Sequence, residues 1–284
     1  MKRILILMLL PLFVGTGIAQ TSVWKVSKDG NDMYLAGSVH LLKESDYPLP
    51  QEFDKAFENS EKLVFEADID KMNDPQLAQQ IMMKAMLEDD KTLKNVLSEE
   101  VYKTLEAEAG KMSIPLANLA RLKPSMVILT MTQFKLQQMG ITAKGVDQFY
   151  HNKAKEANKG LGHLETIEEQ LDVLVNMGEG NEDEFVKYSI NDMESMGTML
   201  DELINTWRDG SSSVMKKQLT EMKEEYPETY EAIMVKRNNN WMPQLEEYMT
   251  DDVIEFVIVG ALHLHGTDGL LEMLEAKGYT IEQL

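Results

Sequence analysis

The sequence predicts an α/β fold: a mixed central sheet formed by the N- and C-terminal segments, with a large helical middle packed over it. Three observations predict it. β-prone apolar segments cluster near both ends of the 284-residue chain. Between them, over about residues 74–140 and 167–249, apolar residues recur every three or four positions, the period of a helix that buries one face. A strand-like segment ending in Gly-x-x-His also occurs twice, as Gly37-Ser38-Val39-His40 and as Gly260-Ala261-Leu262-His263.

The elements follow in order. Residues 1–19, MKRILILMLLPLFVGTGIA, carry Lys2 and Arg3 ahead of an apolar run from Ile4 to Val14, then the small residues Gly17 and Ala19. This is the pattern of a secretory signal peptide cleaved after Ala19, which leaves residues 20–284 as a single domain. The run is shorter than the roughly 20 residues of a membrane-spanning helix, and no cysteine is present for lipid attachment. A periplasmic or secreted protein without a stable membrane anchor is expected. Val23–Ser27 and Met33–Ser38 flank Lys28-Asp29-Gly30-Asn31, a β-hairpin signal. Residues Pro48–Ser60 place Leu49, Phe53, Ala56 and Phe57 at helical spacing, and Lys62–Ala67 reads as a short buried strand. Several helices then follow, broken at Pro115 and Pro124. Lys159–Leu164 is a further strand, and the acidic stretches 179–184 and 221–225 are solvated faces or loops. Val253–Val259 is a strongly apolar strand, followed by a helix from about Gly266 to Lys277 and a last strand at Tyr279–Ile281.

Composition excludes several functions. The 28 basic and 48 acidic residues give a net charge of −20, which opposes the counterion release that drives nucleic-acid binding. The absence of cysteine removes disulfides, thiolate metal sites and cysteine nucleophiles. There is no His-Glu-x-x-His, no Gly-x-Ser-x-Gly elbow, no phosphate loop and no dinucleotide fingerprint. The 21 methionines, among them Met72, Met82, Met83, Met86 and Met112, are expected to fill the core.

The paired Gly-x-x-His units are the strongest functional signal. In sheets with crossover helices, ligands bind beyond the carboxyl ends of the strands, so His40 and His263 could converge on one cleft. A glycine permits a sharp turn or close approach, and an imidazole serves as metal ligand or proton carrier. Both roles are open at this point.

The ordered blocks resemble the TraB/GumN family, whose wider relatives include the Tiki metalloproteases. They are VWKVSKDGNDMYLAGSVHLLKESDYPLP, LVFEADI, RLKP at Arg121–Pro124, KGVDQFY with Gly145 and Asp147, LGHLETIEEQL with Glu165, Glu169 and Gln170, and Arg237, Asn238 and Trp241 leading into FVIVGALHLHGTDGLLEMLEAKGY. The resemblance implies a metal-dependent, peptidase-like hydrolase with His40, His263 and Glu66 around a divalent transition metal such as zinc, manganese or cobalt. Its substrate would be a peptide or other small secreted molecule. Two imidazoles and a carboxylate are a common ligand set for such an ion. Arg237 could clamp a carboxylate or stabilise an oxyanion. Asp147 and Glu165 could orient a histidine or replace Glu66 as ligands, although Asp147 also fits a helix cap. His265 would share a face with His263 if the segment is extended. His151 and His163 read as structural. The alternative implied by the family is a non-catalytic protein that binds or sequesters a peptide or haem.

Overall fold

The computed structural model describes residues 20–141 and 143–284; the signal peptide read at residues 1–19 lies outside them. The chain opens with the predicted hairpin, β1 (Val23–Lys28) and β2 (Asn31–Ser38). Asp29 and Gly30, at φ +52° and +95°, form its two-residue turn, with both central residues in the left-handed region that a type I′ turn requires. A two-residue strand β3 (Leu41–Leu42), helix α1 (Gln51–Asn59) and strand β4 (Lys62–Phe65) follow. The first helical stretch comprises α2 (Pro75–Ala85), α3 (Leu93–Val96), α4 (Glu99–Lys111) and α5 (Pro124–Gln138). Then come β5 (Ala143–Lys144), α6 (Val146–Glu156), β6 (Gly160–His163) and α7 (Ile167–Val175). The second comprises α8 (Glu182–Arg208), α9 (Ser213–Glu225), α10 (Pro227–Tyr230) and α11 (Lys236–Tyr248). The chain ends with β7 (Glu255–Gly260), α12 (Leu270–Ala276) and β8 (Thr280–Gln283).

Six strands form the mixed sheet, in the order β6-β4-β7-β2-β1-β8. β6, β4, β7 and β2 run parallel, while β1 pairs antiparallel with both β2 and β8. The two ends of the chain therefore meet in one sheet, with Gly37 beside Val259 and Ser38 beside Gly260. Strand side chains alternate between two cores, as the pleat requires. Leu63, Phe65, Phe256 and Ile258 face α1, α6 and Trp207 of α8. Val64, Val257 and Val259 face α11 and α12. β7 is buried on both faces, which explains its unbroken apolar run. A third core, remote from the sheet, joins α3, α4 and α5 to the first half of α8. Among the described residues no helix is long and apolar enough to cross a membrane.

Two local readings need correction, and one feature went unread. The last helix begins at Leu270, not Gly266, because Gly266 takes a turn conformation at φ +84° and Gly269 forms the N-cap. The small sheet of β3 and β5 was not legible, since two-residue strands carry no periodicity. Met112 is buried, but Met72, Met82 and Met83 are 58–62% exposed; helical spacing alone does not say which helix faces find a partner.

Candidate functional site

Four parallel strands end on the same side of the sheet, and the chain just past each end supplies a polar side chain: His40 after β2, Glu66 after β4, His263 after β7 and Glu165 after β6. The two Gly-x-x-His units do converge. A Cβ placed on Gly260 would lie 3.1 Å from Glu66 Oε1, 3.4 Å from His40 Nε2 and 3.5 Å from His263 Cδ2. The two motif glycines have different duties. Gly260 leaves open the space among these three side chains, whereas a Cβ on Gly37 would meet Ala261 and Leu264, so Gly37 lets β2 pack against the turn that carries His263.

Glu66 is buried among donors. Its Oε1 accepts the Gly260 N–H at 2.6 Å, and its Oε2 accepts Gln170 Nε2 at 2.8 Å and Arg237 Nη2 at 2.6 Å. Burial opposes its charge, but the adjacent His263, Arg237 and His40 and the Gly260 N–H outweigh burial and hold the carboxyl well below the usual carboxylate range.

The two histidines are held in opposite states. Asn238 donates Nδ2 to the carbonyls of His263 and Asp268, which turns its Oδ1 toward His263 Nδ1 at 2.6 Å. This arrangement assigns the proton to Nδ1 and the lone pair to Nε2. Nε2 accepts Arg237 Nη1 at 3.0 Å and lies 4.0 Å from Glu66 Oε1. Burial keeps this imidazole neutral, down to a pKa of about 3. His40, by contrast, is 61% exposed and donates Nδ1–H to both oxygens of Asp147 at 3.1 Å. The Asp147 carboxylate is the main cause that raises its pKa to about 9. The β3–β5 pair and the Val146 N–H bond to the Val39 carbonyl at 3.1 Å clamp these two residues together. Gly145 permits the approach, because any Cβ there would collide with the His40 carbonyl.

Arg237 ties the cluster together. Its side chain is 12% exposed, and it binds both Glu165 oxygens, through Nε at 3.1 Å and Nη2 at 2.6 Å. Trp241, one helical turn on, lies against the guanidinium at 4.7 Å and donates Nε1 to Glu165 Oε2 at 3.3 Å. A single π-helical turn at Glu231–Val235 immediately precedes α11 and adjusts the phase with which Arg237 and Asn238 enter the site.

Of the predicted site residues, the structure brings together His40, Glu66, Asp147, Glu165, Arg237, His263, Gly37 and Gly260, and leaves out His265. His263 sits in a 3₁₀ turn, Ala261–Leu264, in which residues two apart point in different directions, so the extended-segment premise fails. Asn238, Gln170 and Trp241, quoted above only as motif residues, are hydrogen-bond partners of the cluster that sequence reasoning missed. The spacing of Arg237 and Trp241 was the one available signal, since residues four apart share a helix face.

His265 lies edge-on against Trp24 with ring centroids 5.6 Å apart, is 6% exposed, and has no hydrogen-bond partner at Nε2. Burial lowers its pKa from 6.5 to about 4. The unfolded chain therefore binds more protons between these values, and stability falls as the pH drops from 6.5 to 4, by about 3 kcal/mol from this residue. Melting curves recorded from pH 4 to 7 are expected to steepen toward acid more in the wild type than in His265→Phe. Parallel pH profiles would refute this assignment.

The sequence model of the TraB/PrgY/gumN family matches residues 22–283. The chain is 24% identical over 246 residues to the uncharacterized protein YbaP of Escherichia coli (strain K12), an alignment covering 85% of this chain and 87% of YbaP. It is similar to the same extent to YbaP of Shigella flexneri. No solved structure matches the chain. The family match spans nearly the whole of the described chain, including every strand and every residue of the cluster, and the protein belongs to the TraB/PrgY/gumN family.

Proposed function

We propose that this protein is a secreted or periplasmic metal-dependent hydrolase of peptidase-like chemistry, in which His40, His263 and Glu66 hold a divalent transition metal such as zinc, manganese or cobalt. One observation carries the reading. His40 Nε2, Glu66 Oε1 and the Cδ2 edge of the His263 ring surround Gly260, His263 Nε2 lies 4.0 Å from Glu66 Oε1, and each imidazole has its δ nitrogen beside its own acceptor, Asp147 Oδ or Asn238 Oδ1. Histidines that ligate metals are held in this way, by a hydrogen bond from the other ring nitrogen.

The donor set fits a divalent ion in type, with His40 giving up its Nε2 proton as the ion binds. Among the described residues the spacing does not yet close three donors on one point, and Arg237 Nη1 stands on the His263 lone pair. When bound, the metal supplies Lewis-acid polarisation of a carbonyl oxygen and lowers the pKa of a water molecule. The chain's own residues supply the rest. Asp147 and Asn238 hold the two rings in their tautomers, and Gln170 and the Gly260 N–H aim the Glu66 carboxylate. Arg237 places a guanidinium beside the cluster, where it can donate to an oxygen that gains negative charge. His40, the exposed member, marks the side from which a substrate enters. The peptide class and the location outside the cytoplasm rest on the family resemblance and on the sequence of residues 1–19.

The test is metal content by mass spectrometry on untagged mature protein, after reconstitution with zinc, for wild type, His40→Ala and His263→Ala. About one equivalent in the wild type and loss in both variants is the expected result, with peptide hydrolysis assayed on the loaded protein. Absence of metal from all three overturns the hydrolase reading and favours ligand capture without catalysis.

A further inference from the structure

We infer that the outer edge of β6 is a docking site for an extended peptide segment, which adds to the sheet as a further strand and leads to the strand ends where Glu165 and Arg237 stand. The inference deepens the reading above and rests on it for the peptide class alone. It holds equally for a protein that cleaves the peptide and for one that only captures it.

β6 (Gly160–His163) is an edge of the six-stranded sheet, with β4 as its neighbour. Gly160 donates its N–H to the Glu61 carbonyl at 3.1 Å, and Leu164 donates to the Phe65 carbonyl at 3.0 Å. Alternate residues of a parallel strand bond to the same neighbour, so Gly160, Gly162 and Leu164 turn their backbone groups toward β4. Leu161 and His163 turn theirs outward, where no described residue bonds to them. These outward N–H and C=O groups repeat after two residues of strand rise, roughly 6.6 Å. Another extended backbone matches that repeat.

Exposed edges are commonly closed by charged side chains, proline, a bulge or a covering segment. The Gly-Leu-Gly-His of β6 carries no Lys, Arg, Asp, Glu or Pro, and three of its four residues are exposed. The opposite edge, β8, carries Glu282. On one face of β6 the Lys62 side chain lies across the two glycines, where a Cβ would stand 3.2 Å from its Cγ at Gly160 and 3.0 Å from its Cε at Gly162. On the other face Leu161 is 40% exposed and offers an incoming strand an apolar cross-strand neighbour.

The position of the edge points to the same occupant. β6 runs straight into Leu164 and Glu165, whose N–H groups bond to the Glu66 carbonyl at 3.2 and 2.9 Å, and Glu165 holds Arg237. A chain lying along β6 therefore leaves the edge beside the cluster. A second copy is disfavoured, because it would bring together two chains of net charge −20.

The experiment selects random dodecapeptides displayed on phage against chelator-treated mature wild type, then follows amide exchange by NMR with the recovered peptides in synthetic form. Exchange at Leu161 and His163 is expected to slow by about tenfold or more, while Gly162, already bonded to β4, changes little. Leu161→Pro removes one outward donor and no bond to β4, and should weaken peptide binding by about tenfold. Leu161→Ala loses the side chain but keeps the donor, and should bind more tightly than Leu161→Pro. Recovery of no peptide, or of peptides that protect other amides, overturns the inference. Protection that appears with protein concentration alone assigns the edge to a second copy and overturns it as well. If Leu161→Pro fails to fold, the exchange pattern of the wild type decides. None of these measurements uses a metal. Peptide held on β6 by a protein that takes up no zinc overturns the hydrolase reading alone, and zinc uptake without protection of the two amides overturns this inference alone.

Discussion

Glu66→Ala is expected to lower the melting temperature by about 10 °C, because removing one partner of a buried ion pair costs roughly 3–5 kcal/mol in a chain of this size. The loss has three parts. Arg237 would keep Glu165 but lose its 2.6 Å contact to Glu66, Gly260 would lose the acceptor of its buried N–H, and Gln170 would lose its partner. Glu66→Gln retains an oxygen for Gly260 and most of the packing, so its melting temperature should lie between those of wild type and Glu66→Ala. Calorimetry on the three proteins at neutral pH checks the order. A melting temperature for Glu66→Ala indistinguishable from wild type would show that Arg237 and the strand end do not depend on this carboxylate.

Gly260→Ala should have the opposite signature, a large functional loss with little change in fold. The backbone at Gly260 has φ −52° and ψ 134°, values that alanine adopts freely, and its N–H bond to Glu66 is retained. The new methyl, however, stands 3.1 Å from Glu66 Oε1 and 3.4 Å from His40 Nε2, in the space the proposed ion needs. A methyl in that space excludes the ion from part of it, so zinc affinity should fall by about tenfold to a hundredfold, while the melting temperature stays within about 5 °C of wild type because the contacted carboxylate and imidazole ends can shift slightly. Chelator competition and calorimetry on the same sample separate the two effects. Wild-type zinc affinity would remove Gly260 from the site and with it the proposed position of the metal.

The asymmetry between the histidines follows from where each strand ends. β7 is flanked by β4 and β2, so the turn after it lies under α11, and His263 is buried and neutral. His40 leaves β2 on a loop held by the β3–β5 pair, by the Val146 N–H bond to the Val39 carbonyl and by Asp147, and it keeps its solvent exposure, with Asp147 favouring its charged form. Identical motifs thus present one buried, neutral imidazole and one exposed, protonated imidazole to the same carboxylate.

Much of the architecture was legible from local chemistry. The Asp29-Gly30 turn, the helical periods, the prolines at 115 and 124 and the unbroken apolar run of β7 each act through neighbours in sequence. The repeated Gly-x-x-His units named both imidazoles, and the family resemblance added Glu66, with Glu165 as an alternative. What the residues alone left open were matters of partnership. The pairing of β2 with β7 joins positions more than two hundred residues apart, and alternation within a strand does not specify the strand beside it. Asn238 and Gln170 became partners of His263 and Glu66 only once helices α11 and α7 were laid against the strand ends. His265 was misplaced because a 3₁₀ turn and an extended segment cannot be told apart over four residues. The sequence determined the elements and the chemical types at the site, because backbone preference and burial period are local. The tertiary structure decided which donor meets which acceptor, because that depends on register and packing between segments distant in the chain.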